Sequence, residues 1–176
     1  MRSFHYYTPT QIEFGKGSTA GTGELVRKYG GKKVLIHYGG GSAVRSGLLD
    51  QVKEQLDREG IGYVLLGGAV PNPRLSLVYQ GIDLCREEGV DFILAVGGGS
   101  VIDSAKAIGY GVYNGGDVWD LYERKRKADV CLPIGVVFTL AATGSEMSHS
   151  AVITKEEGQI KKGYSSDYGR PKFAVM

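Results

Sequence analysis

A chain of 176 residues with 42% hydrophobic side chains is long enough to bury a core as one domain, and its 21 basic and 19 acidic residues leave a net charge of +2, too balanced to mark a nucleic-acid protein by charge alone. No apolar run reaches the length that crosses a bilayer, and the start, Met1-Arg2-Ser3-Phe4-His5-Tyr6-Tyr7, lacks a signal-peptide core, so a cytoplasmic protein with no membrane partner is expected. Cys85 and Cys131 stand far apart and read as reduced core thiols, while 28 glycines without an excess of proline, serine or glutamine point to many turns running close to a ligand.

Residues 10–15 alternate polar and apolar and stop at Gly15, the pattern of an edge strand. Residues 19–29 predict a helix with Leu25 and Val26 on its apolar side, weakened by Gly21 and Gly23 and stopped by Gly30-Gly31. Val34-Leu35-Ile36-His37-Tyr38 is a strand-length run that enters Gly39-Gly40-Gly41-Ser42. The helix behind it spans 48–59, with Leu48, Leu49, Val52 and Leu56 on one face, Ser46 as N-cap and Gly60 as stop. Tyr63-Val64-Leu65-Leu66 predicts a third strand, followed by Gly67-Gly68 and Pro71-Asn72-Pro73. There Asn72 is expected to cap, and Pro73 to open, a helix whose apolar positions Leu75, Val78, Tyr79, Ile82 and Cys85 recur at helical spacing up to Gly89.

Phe92-Ile93-Leu94-Ala95-Val96 has no polar position, as a strand covered on both faces requires. Gly97-Gly98-Gly99 separates it from a helix with Val101, Ile102, Ala105, Ile108 and Val112 on its buried side, and Ser100 with Asp103 has the spacing of a capping box. Glycines in that turn let the backbone approach a ligand, while the free N–H groups and positive dipole end of the helix face the same point, which makes a phosphate cradle. A plain strand-to-helix turn is the simpler alternative, but three consecutive glycines weaken a fold unless close approach is needed.

Residues 113–129 carry Trp119 and the basic run Arg124-Lys125-Arg126-Lys127. They read as a surface excursion, the run being a solvated face rather than a nucleic-acid patch. Residues 133–139 form a fifth apolar strand, leading into Leu140-Ala141-Ala142-Thr143-Gly144-Ser145-Glu146. Its hydroxyls and small residues suit polar ligand atoms, and equally an ordinary hydroxyl-capped turn. Residues 151–154 and 159–164, on either side of Glu156-Glu157-Gly158, predict a β-hairpin, and Phe173-Ala174-Val175-Met176 the opening of another buried strand. His5, His37 and His149 do not sit at metal-ligand spacing; they read as a surface residue, a strand residue and a residue near the hydroxyl-rich turn.

Strands alternating with helices predict an α/β fold: a Rossmann-like parallel sheet with helices on both faces, plus the hairpin. Such sheets bind ligands at the carboxyl ends of their strands, so the turns at 39–42, 71–73, 97–100 and 139–146 should converge on one edge, and the ligand should be long and carry phosphate, as a dinucleotide does. The usual dinucleotide fingerprint is absent, since Ile102 stands where a third spaced glycine would be. The turn 38–42 offers N–H groups and the Ser42 hydroxyl but no carboxylate to hold the ribose hydroxyls of NAD, which favours NADP, with Arg45 close in sequence.

Taken together, Gly97-Gly98-Gly99-Ser100-x-x-Asp103, Pro71-Asn72-Pro73 and Thr139-Leu140-x-x-Thr143-Gly144-Ser145-Glu146 resemble the N-terminal half of the iron-containing alcohol dehydrogenase family, in its NADPH-dependent butanol dehydrogenase and aldehyde reductase branch. Tyr7-Thr8-Pro9-Thr10, Phe14-Gly15-Lys16-Gly17 and the turn 38–42 belong to the same pattern, so the likeness covers essentially the whole chain. The resemblance implies that Gly98, Gly99 and Ser100, after Gly97, hold a pyrophosphate, with Asn72 and Asp103 near the nicotinamide. It implies Thr139, Leu140 and Thr143 on the adenosine side, Ser145 at the pyrophosphate or nicotinamide, and Lys161 at the ribose or phosphates. Gly39, Gly40 and Ser42 would receive the adenosine 2′-phosphate of NADPH.

Family members are about twice this long, and by the same resemblance a second, helical domain supplies the aspartate and three histidines that hold a divalent metal, iron or zinc. The expectation is therefore an NADP-binding domain spanning 1–176 without that metal domain, inactive in isolation. Its parent reaction would be hydride transfer between NADPH and an aldehyde, giving a primary alcohol. A surface left open by the missing domain predicts a homo-oligomer, with the strand ending at Met176 exchanged or paired between copies. The alternative is a stand-alone nucleotide-binding or interaction module without catalysis. Glycerol dehydrogenases and dehydroquinate synthases are related by fold, and the turn 38–42 argues against them.

Overall fold

A computed structural model of the chain describes Ser3 and residues 7–176. In chain order the elements are β1 (Gln11–Glu13), α1 (Thr22–Lys28), β2 (Lys33–Gly39), α2 (Ser42–Arg45), α3 (Leu48–Arg58), β3 (Gly62–Ala69), α4 (Leu75–Glu88), β4 (Phe92–Gly97) and α5 (Gly99–Tyr113). There follow α6 (Trp119–Tyr122), β5 (Ile134–Phe138), β6 (Ser150–Lys155), β7 (Ile160–Ser165) and β8 (Phe173–Val175). Six strands form one sheet in the order β1-β8-β5-β4-β2-β3, with every neighbouring pair parallel, and β6 and β7 form a separate antiparallel hairpin. The expected α/β sheet with an added hairpin is the observed fold.

Every residue of β4 is buried. Because successive strand side chains point to opposite faces, Phe92, Leu94 and Val96 pack with Leu25 and Val26 of α1 and Leu49, Val52 and Leu56 of α3. Ile93 and Ala95 pack on the other face with Leu75, Val78, Ile82 and Cys85 of α4 and Val101, Ile102, Ala105 and Ile108 of α5. The helices therefore cover both sides, and the absence of polar positions in β4 follows. Gly23, which weakens the helical pattern of α1, is where α1 meets the backbone of α3, since a Cβ there would strike the Gln55 carbonyl.

Several local expectations are corrected. α3 starts after Gly47, in the left-handed region at φ 74° with no side-chain cap, and the Ser46 hydroxyl donates instead to the Ala43 carbonyl of α2 at 3.3 Å. α4 starts at Leu75 rather than Pro73, and Asn72, at φ 57°, caps nothing. The competing force is the hairpin: Thr154 N–H donates to the Pro73 carbonyl at 2.8 Å, and Arg74 forms a parallel bridge with Thr154, which holds this stretch extended. The capping box at Ser100 and Asp103 does not form, because α5 already begins at Gly99, and the Asp103 carboxylate accepts from Val152 N–H at 3.0 Å. Tyr79 leaves the core face of α4 and donates its hydroxyl to Asp117 at 2.7 Å.

Residues 113–129 are not a plain surface excursion. α6 buries Trp119, Leu121 and Tyr122, with Trp119 and Tyr122 stacked at 5.5 Å, and the Arg126 guanidinium is spent on the carbonyls of Asn114 and Asp117. β8 also departs from expectation. It lies between β5 and β1, with Met176 N–H donating to the Glu13 carbonyl at 2.9 Å, so its backbone is paired within the chain and needs no second copy. His5 lies outside the described residues.

His37 sits within β2, fully buried, its Nδ1 bonded to the Leu66 carbonyl at 2.9 Å and its Nε2 without a partner. Burial lowers its pKa from 6.5 to about 4, opposed by the bond to Leu66. The folded chain thus binds fewer protons than the unfolded chain between these two values, so stability falls as pH drops through that window and is indifferent to His37 above it. Urea unfolding should show a loss of about 3 kcal/mol from this group on going from pH 7 to pH 4, and His37→Gln should remove that component of the pH slope.

Candidate functional site

The site is built where β4 gives way to α5. β4 ends at Gly97, Gly98 is extended, and α5 begins at Gly99 with no side-chain cap. The N–H groups of Gly99 and Ser100 lie too early in the helix for any intrahelical acceptor, so they point out of the end of a fifteen-residue helix together with its positive dipole. Thr139 N–H donates to the Gly97 carbonyl at 3.2 Å and starts the 139–146 turn beside this point. The Thr143 and Ser145 hydroxyls are 2.9 Å apart and stand directly over Gly99: a Cβ on Gly99 would lie 2.8 Å from Thr143 Oγ1 and 3.4 Å from Ser145 Oγ.

Two adjoining clefts open along this sheet edge and share Gly99, Ser100 and Leu140. The first, about 480 Å³, is lined by Gly39, Gly40, Ser42, Gly97, Gly98 and Thr139, with Ala69 to Pro71 completing the wall. That wall exists because β3 is longer than its apolar run and pairs as far as Gly39 with Ala69. The second, about 460 Å³, is lined by Asn72, Asp103, Thr143, Ser145 and Lys161. The structure therefore brings into these two clefts each of the residues that the resemblance assigned to the cofactor, although Thr143 lines the second cleft with Asp103 rather than the first with Thr139.

Several side chains in these clefts have defined partners. Lys161 Nζ, from β7, donates to Asn72 Oδ1 at 2.8 Å and holds the hairpin to the Pro-Asn-Pro turn. Asp103 Oδ1 is buried without a partner, and burial is the main reason its carboxyl pKa is raised, with the bond from Val152 opposing. Arg45 settles its direction here: its guanidinium lies against Gly41, with Nη1 2.9 Å from where a Cβ would stand. A helix end with free N–H groups, a glycine whose Cβ would push aside the Thr143 hydroxyl, and an orphaned acceptor are features that fit a dinucleotide carrying a pyrophosphate.

The sequence pattern of the iron-containing alcohol dehydrogenases matches residues 9–176. The chain belongs to the iron-containing alcohol dehydrogenase family. It is 47% identical over its whole length to NADH-dependent butanol dehydrogenase A of Clostridium acetobutylicum and 40% identical to the NADPH-dependent aldehyde reductase YqhD of Escherichia coli, covering 45% of each. The crystal structure of the NADH-dependent butanol dehydrogenase A of Thermotoga maritima superposes with a TM-score of 0.97 at 43% identity, over 99% of this chain and 44% of that one. The chain thus spans less than half the length of these family members and corresponds to the N-terminal domain of the family fold.

Two features of this family member lie outside the sequence reading. Lys106, in α5, is fully buried and donates at 2.8 Å to each of the carbonyls of Ser145, Ser148 and Ser150. Burial pulls its pKa down to about 8, opposed first by the Asp103 carboxylate. Its position was a readable signal, since a lysine four residues after Ile102 falls on the buried face of the helix. The second is a wider cleft of about 720 Å³ away from the sheet edge, between Arg124, Lys127 and β7. It lacks the helix end and the glycine turns. Among the described residues no group of histidine, cysteine, aspartate and glutamate is arranged to hold a metal ion, and His149 lies 3.2 Å from the Arg170 guanidinium.

Gly99→Ala tests the cradle. Its Cβ must displace the Thr143 hydroxyl, which is bonded to that of Ser145, so dinucleotide binding should weaken about tenfold or more with the thermal midpoint unchanged, as fluorescence titration and calorimetry would read.

Proposed function

We propose that this chain is the NADP(H)-binding domain, residues 1–176, of a metal-dependent alcohol dehydrogenase or aldehyde reductase acting in the cytoplasm. The observation that carries the reading is the convergence of four turns on one sheet edge, with the free N–H groups of Gly99 and Ser100 at its centre. A nicotinamide dinucleotide bound there would supply the hydride that takes an aldehyde to a primary alcohol.

The residues divide the work of holding it. Gly98, Gly99 and Ser100 would receive the pyrophosphate on backbone N–H groups, and the Thr143 and Ser145 hydroxyls would close over it. Asp103 and Asn72, with Lys161, would line the nicotinamide and ribose side, while Thr139 and Leu140 would line the adenosine side. Gly39, Gly40 and Ser42 would take the 2′-phosphate, because the turn holds no carboxylate and the Arg45 guanidinium lies against Gly41. Relatives with either cofactor in their names match this chain, so the preference rests on the turn. A divalent metal, iron or zinc, would be held by residues outside this chain and would polarise the substrate oxygen.

Titration of the purified chain with NADPH and NADH side by side should give tighter binding of NADPH. Ser42→Asp should weaken NADPH about a hundredfold while leaving NADH nearly unchanged, since a carboxylate would face the 2′-phosphate. Equal affinities in the wild type would sink the preference, and no binding of either would sink the function. The chain alone should bind without turning over butyraldehyde, with or without added iron or zinc. The same preparation should sediment as a dimer or larger, because Phe14 is 83% exposed at the end of edge strand β1 and Leu65 is open on edge strand β3; a strictly monomeric profile would contradict this.

A further inference from the structure

Among the described residues, Lys106 is the one lysine buried completely. An ammonium removed from water is costly unless its protons are all satisfied, and an apolar side chain would fill this position in α5 without that cost. Its three donors find three acceptors, the carbonyls of Ser145, Ser148 and Ser150, each at 2.8 Å. Ser145 and Ser148 belong to the segment that joins β5 to β6, and Ser150 is the first residue of β6.

Apart from Lys106, that segment is held at its two ends, Thr139 to Gly97 and His149 to Ser166, and by Arg170. Thr139 to Thr143 are exposed, Leu140 by 68%. Its internal backbone bonds are those of Met147 and Ser148 N–H to the Gly144 carbonyl; Arg170 adds contacts to the Met147 carbonyl at 3.1 Å and the His149 ring at 3.2 Å, and Ser166 N–H donates to the His149 carbonyl at 3.1 Å. Yet it must hold the Thr143 and Ser145 hydroxyls over Gly99, on the other side of the helix end. α5 touches both parts. Its first turn is the cradle, Asp103 ties Val152 at the start of the hairpin, and Lys106 ties the loop between.

We propose that Lys106 is a positioning residue for the cofactor site: it clamps the 140–150 loop to α5 and so places the Thr143 and Ser145 hydroxyls over the Gly97–Ser100 turn. The inference rests on the dinucleotide reading above. Lys106 touches no cleft itself; it acts through three carbonyls of the loop.

Lys106→Met keeps the length of the side chain and removes all three donors. Hydrogen exchange of the ligand-free protein should then speed up over residues 140–150 and not over β4 or β5. The affinity for NADPH, or for whichever dinucleotide the wild type binds, should fall about tenfold or more in protein shown to be folded by circular dichroism. Thr143→Ala alone should weaken binding, and the double variant should bind no worse than Lys106→Met, because the two losses act through the same hydroxyl. If Lys106→Met does not fold, Lys106→Gln, which keeps an amide for two of the three carbonyls, should show the same pattern at smaller size. Unchanged affinity in a folded variant, or additive losses in the double variant, would overturn the inference and leave the dinucleotide reading intact. Failure of the wild type to bind any dinucleotide would overturn both, whereas locally faster exchange with unchanged affinity would make Lys106 a purely structural residue and also overturn it.

Discussion

The rest of the structure depends on one constraint: a strand with no water on either side must hand over directly to a helix whose first N–H groups have no partner in the fold. β4 is buried along its whole length, paired with β2 and β5 and covered by helices on both faces, and α5 begins two residues after it. The unsatisfied end of a long helix is therefore fixed in place by the most rigid part of the protein. A Cβ at Gly99 would crowd the Thr143 hydroxyl beside that end, and so the position is glycine for reasons of close approach rather than of backbone angle.

From this junction the remaining site follows by attachment. Parallel pairing puts the ends of β2, β3 and β5 beside the end of β4, which brings the turns after them to one edge. The hairpin, although outside the main sheet, is fastened to the same edge at several points: Thr154 to Pro73, Lys161 to Asn72, Val152 to Asp103, and Glu156 to the Ser76 hydroxyl. It walls the second cleft because it is bonded to the Pro-Asn-Pro turn on one side and to α5 on the other.

Sequence alone determined much of this. The uninterrupted apolar run of β4 implied burial on both faces, the repeated passage from apolar strand to glycine turn to helix implied parallel units, and the residues at strand ends proved to line one edge. These are local signals, because periodicity and glycine content are written in consecutive positions. The hairpin and the strand at Phe173 were legible for the same reason. Tertiary structure decided what the polar side chains do. Asn72 and Asp103 have the spacing of helix caps, and each was taken instead by a partner far along the chain, Lys161 and Val152. The spacing puts Lys106 on the buried face of its helix, but not its partners, since its three acceptors lie about forty residues away. Trp119 falls in a stretch that reads as an irregular surface excursion, and it is buried because α6 forms there and stacks it on Tyr122. A hydrogen bond or a packing face goes to whichever group the fold brings within reach, and that choice is made only after the apolar pattern has already folded the chain.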